Sequence, residues 1–164
     1  MEEINKKFLN LYNLYSNDVL RLAFSFTKNI CEAEDITQLV FIKLFKELKK
    51  DSNKEYGKKW LLKVTANESK NNFKIAWKRK IVLQDEFNHN EITFNETLKN
   101  DKLSDALLKL SPKYRNVIYL YYYEGYKIDE ISEVLNLKQS NIKLLLSRGR
   151  KKLKEYMEDT KDEK

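Results

Sequence analysis

The sequence predicts an all-α protein built as two small helical domains joined by a linker. Three observations carry that prediction. Apolar residues recur at helical spacing along most of the 164 residues, and three Gly and one Pro leave few of the turns a sheet would need. Periodicity then fades over 84–100 (QDEFNHNEITFNETLKN), where the charge inverts. From Asp85 to Asp105 there are six acids and two lysines, in a chain of net charge +7. Last, residues 111–156 read as a short helix, a tight turn and a longer helix with a basic outer face. The resulting division is an N-terminal domain over 1–83, an acidic linker over 84–100 and a C-terminal domain over 101–164.

The N-terminal domain reads as four helices. Ile4, Phe8, Leu11, Leu14 and Tyr15 share one helical face. Val19, Leu22, Ala23 and Phe26 repeat the pattern in a second helix, which Asn17 or Asp18 would cap. In the third, Ala33, Ile36, Val40, Leu44 and Leu48 form a stripe, with Glu32, Asp35, Gln38 and Lys46 elsewhere on the cylinder. Its acids gather in the first turn, where the helix dipole favours them. Asp51–Lys59 is a polar break. A fourth helix starts near Trp60 and runs toward Lys80, with Trp60, Val64, Asn67, Lys70, Asn71 and Lys74 recurring along it. Trp60, in register with Val64, reads as core rather than as a stacking platform. Between Lys54 and Lys80 nine basic residues face two acids, so this helix carries a basic surface.

The C-terminal domain opens with Leu103, Ala106, Leu107 and Leu110 on one amphipathic face. Ser111 then offers a capping hydroxyl, and Pro112 suits the first helical position. That helix would run through Val117–Tyr123 and stop at Gly125. A short helix follows, with Ile128, Ile131 and Leu135 on one face. Asn136 tolerates a left-handed turn, and Leu137 would plug it from inside. The last helix begins near Gln139. Its inner face is Ile142, Leu145, Leu146, Gly149 and Leu153. Its outer face is Ser140, Asn141, Lys143 and Leu144 in the first turns, then Ser147, Arg148 and Lys151. Seven basic residues and no acid lie between Lys138 and Lys154, a pattern suited to phosphates. Lys, Asn, Ile and Tyr are abundant throughout, so this local clustering weighs more than the total charge.

Composition excludes several classes of function. Cys31 and His89 are the only residues of their kinds, so an intrachain disulfide and a Cys/His metal site are both out of reach. There is no Gly-rich phosphate loop, no nucleophile with a nearby His and no pair of carboxylates in an apolar setting. No catalytic residues, cofactor or metal are expected, and the chain does not read as an enzyme. The start MEEINKKFLN has no apolar signal core, and no run approaches membrane-spanning length. A cytoplasmic protein with no membrane insertion of its own is expected.

The order of parts resembles a known family. AEDITQLVFIKLF is similar to region 2.2 of bacterial sigma factors. KKWLLKVTANESKNNF is similar to their regions 2.3 and 2.4, and LSPKYRNVIYLYYYEGYKIDEISEVLNLKQSNIKLLLSRGRKKL resembles region 4 along its whole length. With regions 2 and 4 alone and a short linker, the chain resembles the extracytoplasmic-function group of the sigma-70 family. The resemblance covers nearly the whole chain.

The resemblance implies partners and roles. Core RNA polymerase and promoter DNA are the implied partners; an anti-sigma factor is implied by the habits of relatives alone. Asp35, Gln38, Phe41 and Lys43 match positions that face, or support docking on, the polymerase clamp helices. Asp35 also suits the helix dipole, and the two roles are compatible. Asn67 matches the residue that helps form a pocket for a base flipped from the −10 element, with Lys70 and Asn71 beside it on the helix. Asp51–Lys59 matches the segment that closes over that base. Lys74, Lys78, Arg79 and Lys80 would meet phosphates. Lys143 and Arg148 match −35 contacts, on the same face as Ser140, Asn141, Leu144, Ser147 and Lys151. Two departures stand out. Leu39 replaces the usual Glu, and Leu144–Leu145 replaces Ser-Arg, so that Leu144 is placed to touch a thymine methyl. Two rival readings remain, a stand-alone helix-turn-helix regulator and a sigma-like decoy. The second basic surface and the region 2.2-like helix argue against the first.

Overall fold

A computed structural model describes the backbone of residues 1–80 and 101–162, and the side chains of residues 1–72 and 102–159. The acidic linker over 84–100, His89, and the side chains of Lys74, Lys78, Arg79 and Lys80 lie outside the described residues. The described elements are α1 (Glu2–Thr27), α2 (Ile30–Lys50), α3 (Lys58–Lys80), α4 (Asp101–Lys109), α5 (Pro112–Ile118), a π-helical turn (Tyr119–Tyr123), α6 (Ile128–Leu135) and α7 (Gln139–Asp162). Among the described residues there is no strand. The fold is all-α, as the spacing predicts.

The expected break at Asn17 or Asp18 is absent. Residues 2–27 form one continuous helix, so three helices rather than four precede residue 81. The reason is tertiary. Asp18 is used inside the helix, 3.8 Å from Arg21 Nη1 and 3.9 Å from Lys58 Nζ, and caps nothing. The real punctuation comes later. Lys28 takes a left-handed conformation at φ 52°, and its N–H closes on the Phe24 carbonyl at 2.8 Å. Asn29 then caps α2, its Oδ1 accepting from the Glu32 N–H at 3.1 Å.

Each helix buries one face. The α2 stripe Ala33, Ile36, Val40, Leu44 and Leu48 is buried against Val19, Leu22 and Ala23 of α1 and Leu61, Leu62 and Ala66 of α3. Trp60 is half-buried, edge-on to Tyr56 with ring centroids 4.8 Å apart, and packs on that core. In the second half, Ser111 occupies the cap position without a side-chain hydrogen bond; its carbonyl accepts from Tyr114 and Arg115, and Pro112 opens α5. The expected hydroxyl cap is therefore corrected to a backbone one. The helix does not run evenly to Gly125. It widens into the π-helical turn, where Glu124 N–H reaches back to the Tyr119 carbonyl at 3.2 Å. Gly125 follows at φ 69° and Asn136 ends α6 at φ 55°. Gly149 of α7 sits against α5, where a Cβ would lie 2.9 Å from Ile118 Cδ1. A side chain there would force the end of the Ile118 side chain to shift.

The two halves meet along a seam of α1 on α5 and α3 on α6. Arg115 is buried in it. Its Nε donates to the Ser25 carbonyl at 2.6 Å and its Nη1 to the Leu110 carbonyl at 2.8 Å. Ser25 Oγ donates to Asn116 Oδ1 at 2.6 Å. At one edge Lys58 pairs with Glu124, which also hydrogen-bonds Asp18. Burial, then the hydrogen bond and charge of Glu124, push the Asp18 carboxyl up to about 6 against the opposing pull of Lys58 and Arg21. A carboxyl raised above its unfolded value adds stability that is fully present below about 3.8 and is lost as pH rises through about 6. Denaturant titrations at pH 5 and pH 7 should therefore show a larger gain on acidification for the wild type than for Asp18→Asn. Equal gains would remove Asp18 from the seam's electrostatics.

Candidate nucleic-acid and polymerase interfaces

The clearest candidate surface is one face of α7. Ile142, Leu146 and Gly149 are buried and Leu145 and Leu153 are half-buried, which fixes the rotation of the helix. Every residue expected on the opposite face is exposed: Ser140, Asn141, Lys143, Leu144, Ser147, Arg148 and Lys151. Leu144 is 44% exposed, an apolar side chain within a polar, cationic strip. The turn before it is built as the residues dictate. Glu130 accepts from the Lys127 N–H at 3.1 Å to start α6, and Asn136 turns left-handed to end it. Leu137 tucks against the core and donates its N–H to the Ser132 carbonyl at 3.2 Å.

A second candidate surface lies on α3. Asn67 and Asn71 are exposed, as a base-reading amide must be. Lys70 is not free beside them. It is half-buried, donates to the Leu135 carbonyl at the end of α6, and has its ammonium lowered by burial. The sequence places Lys70 with the other two; the structure turns it toward the seam. Backbone geometry continues α3 to Lys80, so Lys74, Lys78 and Arg79 share the helix, but their side chains are outside the described residues.

A third surface is on α2. Asp35 and Gln38 are exposed. Lys43 is exposed and pairs with Glu68 of α3. Phe41 differs from the outward-facing pair. It is 3% exposed and packs edge-on against Tyr12, centroids 4.9 Å apart, and against Phe8. Its part is to support the surface from below. Beside it runs an apolar groove of about 770 Å³ between α1 and α2, with Phe8, Leu9, Tyr12, Ile42 and Phe45 in its walls. Ile42 is 50% exposed and Leu39, one turn earlier, 46%. Sequence reasoning missed this groove because it followed the periodic stripe. The signal was there in Leu9, Tyr12 and Ile42, apolar residues that fall off the stripe.

Comparison with known proteins matches the two parts of the chain separately. The family model described as Sigma-70 region 2 matches residues 11–79, and that described as Sigma-70, region 4 matches residues 100–153. The chain belongs to the sigma-70 family. It falls in the extracytoplasmic-function (ECF) group. It is 24% identical to the ECF RNA polymerase sigma factor SigW of Bacillus subtilis (strain 168), over 93% of this chain and 89% of that one. It is 26% identical to SigM of the same organism, over 88% and 91%. A likeness of fold extends to the sigma factor RpoE of Bartonella quintana, solved in complex with the anti-sigma factor NepR. The TM-score is 0.71 and the identity 18%, over 93% of this chain and 98% of that one. As a sigma factor, the protein belongs to a family of non-catalytic proteins of transcription initiation. In family terms, the α2 and α3 surfaces fall within region 2 and the α7 face within region 4. Among the described residues no helix is long and apolar enough to cross a membrane, and no three His, Cys, Asp or Glu side chains are grouped to hold a metal.

Proposed function

We propose that this sigma factor binds core RNA polymerase in the cytoplasm, recognises a promoter at two elements and helps open the duplex at the upstream edge of the bubble. The polymerase performs the chemistry. The observation that carries the reading is the division of α7 into a buried face that fixes its rotation and an exposed cationic face on the opposite side. Region 4, within 101–164, reads the −35 element through Lys143, Arg148 and their neighbours, with Leu144 against a thymine methyl. Region 2, within 1–83, reads one −10 base through Asn67, beside Asn71 and Lys70. Docking on polymerase uses Asp35 and Gln38. Leu39 and the apolar groove beside them extend that surface, so the contact is more apolar than a Glu at position 39 would make it.

Core-dependent transcription in vitro tests the whole proposal. Transcripts should require both this protein and core polymerase; a stand-alone regulator or a decoy would direct none. Within the same assay Asn67→Ala should lose roughly 1–3 kcal/mol of discrimination at one −10 position and leave the helix intact, since Ala is the better helix former. Equal losses at every single-base promoter variant would mean that Asn67 is not a reader.

A further inference from the structure

We infer that Lys43 of α2 is a positioning residue for strand binding: it acts through Glu68, whose carboxylate it holds and neutralises beside Asn67. This rests on the reading of α3 as the −10 interface. Lys63, Asn67 and Asn71 are exposed along α3 at i, i+4 and i+8, one line of neighbours on the helix. Glu68 is the next residue after Asn67 and one of only two acids among nine cations between Lys54 and Lys80. Its carboxylate pairs with the Lys43 ammonium, which reaches across from α2. The Glu68 side chain is 12% exposed and that of Lys43 52%. The carboxylate is thus drawn between the two helices, with the lysine over it on the solvent side.

A carboxylate at this place works against binding a polyanion. Adjacent Cα atoms lie about 3.8 Å apart. A nucleotide seated on Asn67 therefore brings its phosphates within about 10 Å of residue 68, roughly one Debye length at 0.1 M salt. Left bare, the Glu68 carboxylate would repel that strand. Paired, it is close to neutral, and the cations of α3 act on the strand unopposed. Stability does not account for the pair, since an ion pair with so exposed a lysine adds little to it. Lys43 stands one turn after Leu39 on the exposed face of α2. The charge beside the base-reading amide is therefore balanced from a different helix, 25 residues earlier in the chain than Glu68.

The test is a two-residue cycle read on the holoenzyme. Core polymerase is saturated with the full chain, so that strength of docking does not enter. Two fluorescein-labelled single-stranded DNA probes are titrated: one carries the −10 element of a promoter that the wild-type holoenzyme transcribes, the other an unrelated sequence. Lys43→Met should weaken both about threefold to tenfold, the repulsion expected of one unscreened charge near a few phosphates. Glu68→Gln should bind both at least as tightly as wild type. Lys43→Met combined with Glu68→Gln should bind like Glu68→Gln alone. That restoration separates the inference from its rivals, because a damaged fold or a lost direct contact of Lys43 with DNA would persist in the double variant. A persistent loss there, or no loss in Lys43→Met, overturns the inference. Asn67→Ala checks the underlying reading separately. If it still separates the two probes as wild type does while the cycle behaves as expected, the charge coupling stands and the base-reading role of α3 falls. If it loses that separation while the cycle is flat, the base-reading role stands and the coupling falls.

Discussion

Leu146→Ala should cost the folded protein about 2–5 kcal/mol, whereas Leu144→Ala, two residues earlier, should stay within about 0.5 kcal/mol of wild type. The contrast follows from rotation of a single helix. Leu146 is 2% exposed, packed in the core that α7 shares with α5 and α6. Truncation there leaves a cavity whose walls are held by neighbouring helices, which limits collapse. Leu144 is on the far side, in solvent. Urea titrations of the two variants measure both values. In promoter-binding assays Leu144→Ala should lose preference at one T position and keep its salt dependence. Were Leu144→Ala to unfold the domain, the register of α7 would be wrong, and the outward assignment of Lys143 and Arg148 would fall with it.

The second large effect is expected at Arg115. Arg115→Met should cost about 2–4 kcal/mol, although the thioether side chain fills much of the same volume. Burial lowers the guanidinium to about 10, which still leaves it charged at neutral pH. Its two hydrogen bonds run to carbonyls on different elements, Ser25 of α1 and Leu110 after α4. Removing it strands those carbonyls away from water, and the penalty comes from the acceptors as much as from the lost cation. Arg115→Lys should recover only part of the loss, because one ammonium cannot reproduce the planar fork. A cost below about 0.5 kcal/mol in denaturant titrations would show that water or another donor replaces the guanidinium.

Local spacing controls the parts of the fold that were legible in the sequence. The stripe Ala33, Ile36, Val40, Leu44 and Leu48 needed only the helical period. The two faces of α7 came from the same period, and Gly125 and Asn136 announced left-handed turns. Two of the misreadings share a cause: a residue with two local uses was claimed by a partner far away in the chain. Asp18 looks like a cap but serves Lys58 of α3. Lys70 looks like a free phosphate contact but donates to Leu135, 65 residues on. Arg115 and Asn116 carry no periodic signal at all, because polar seams obey pairing rather than period.

The π-helical turn at Tyr119–Tyr123 has a consequence for how such a chain can vary. It holds one residue more than an α-helical loop of hydrogen bonds would. Each residue of a helix rotates the downstream chain by about 100°, from 3.6 residues per turn. The wider hydrogen-bonded loop takes up that rotation locally, so a chain one residue shorter here would close an ordinary α-helical turn and leave Glu124, α6 and α7 on their existing seats. The turn is slack in the chain: a change of length at this point is absorbed rather than passed on to the orientation of α7.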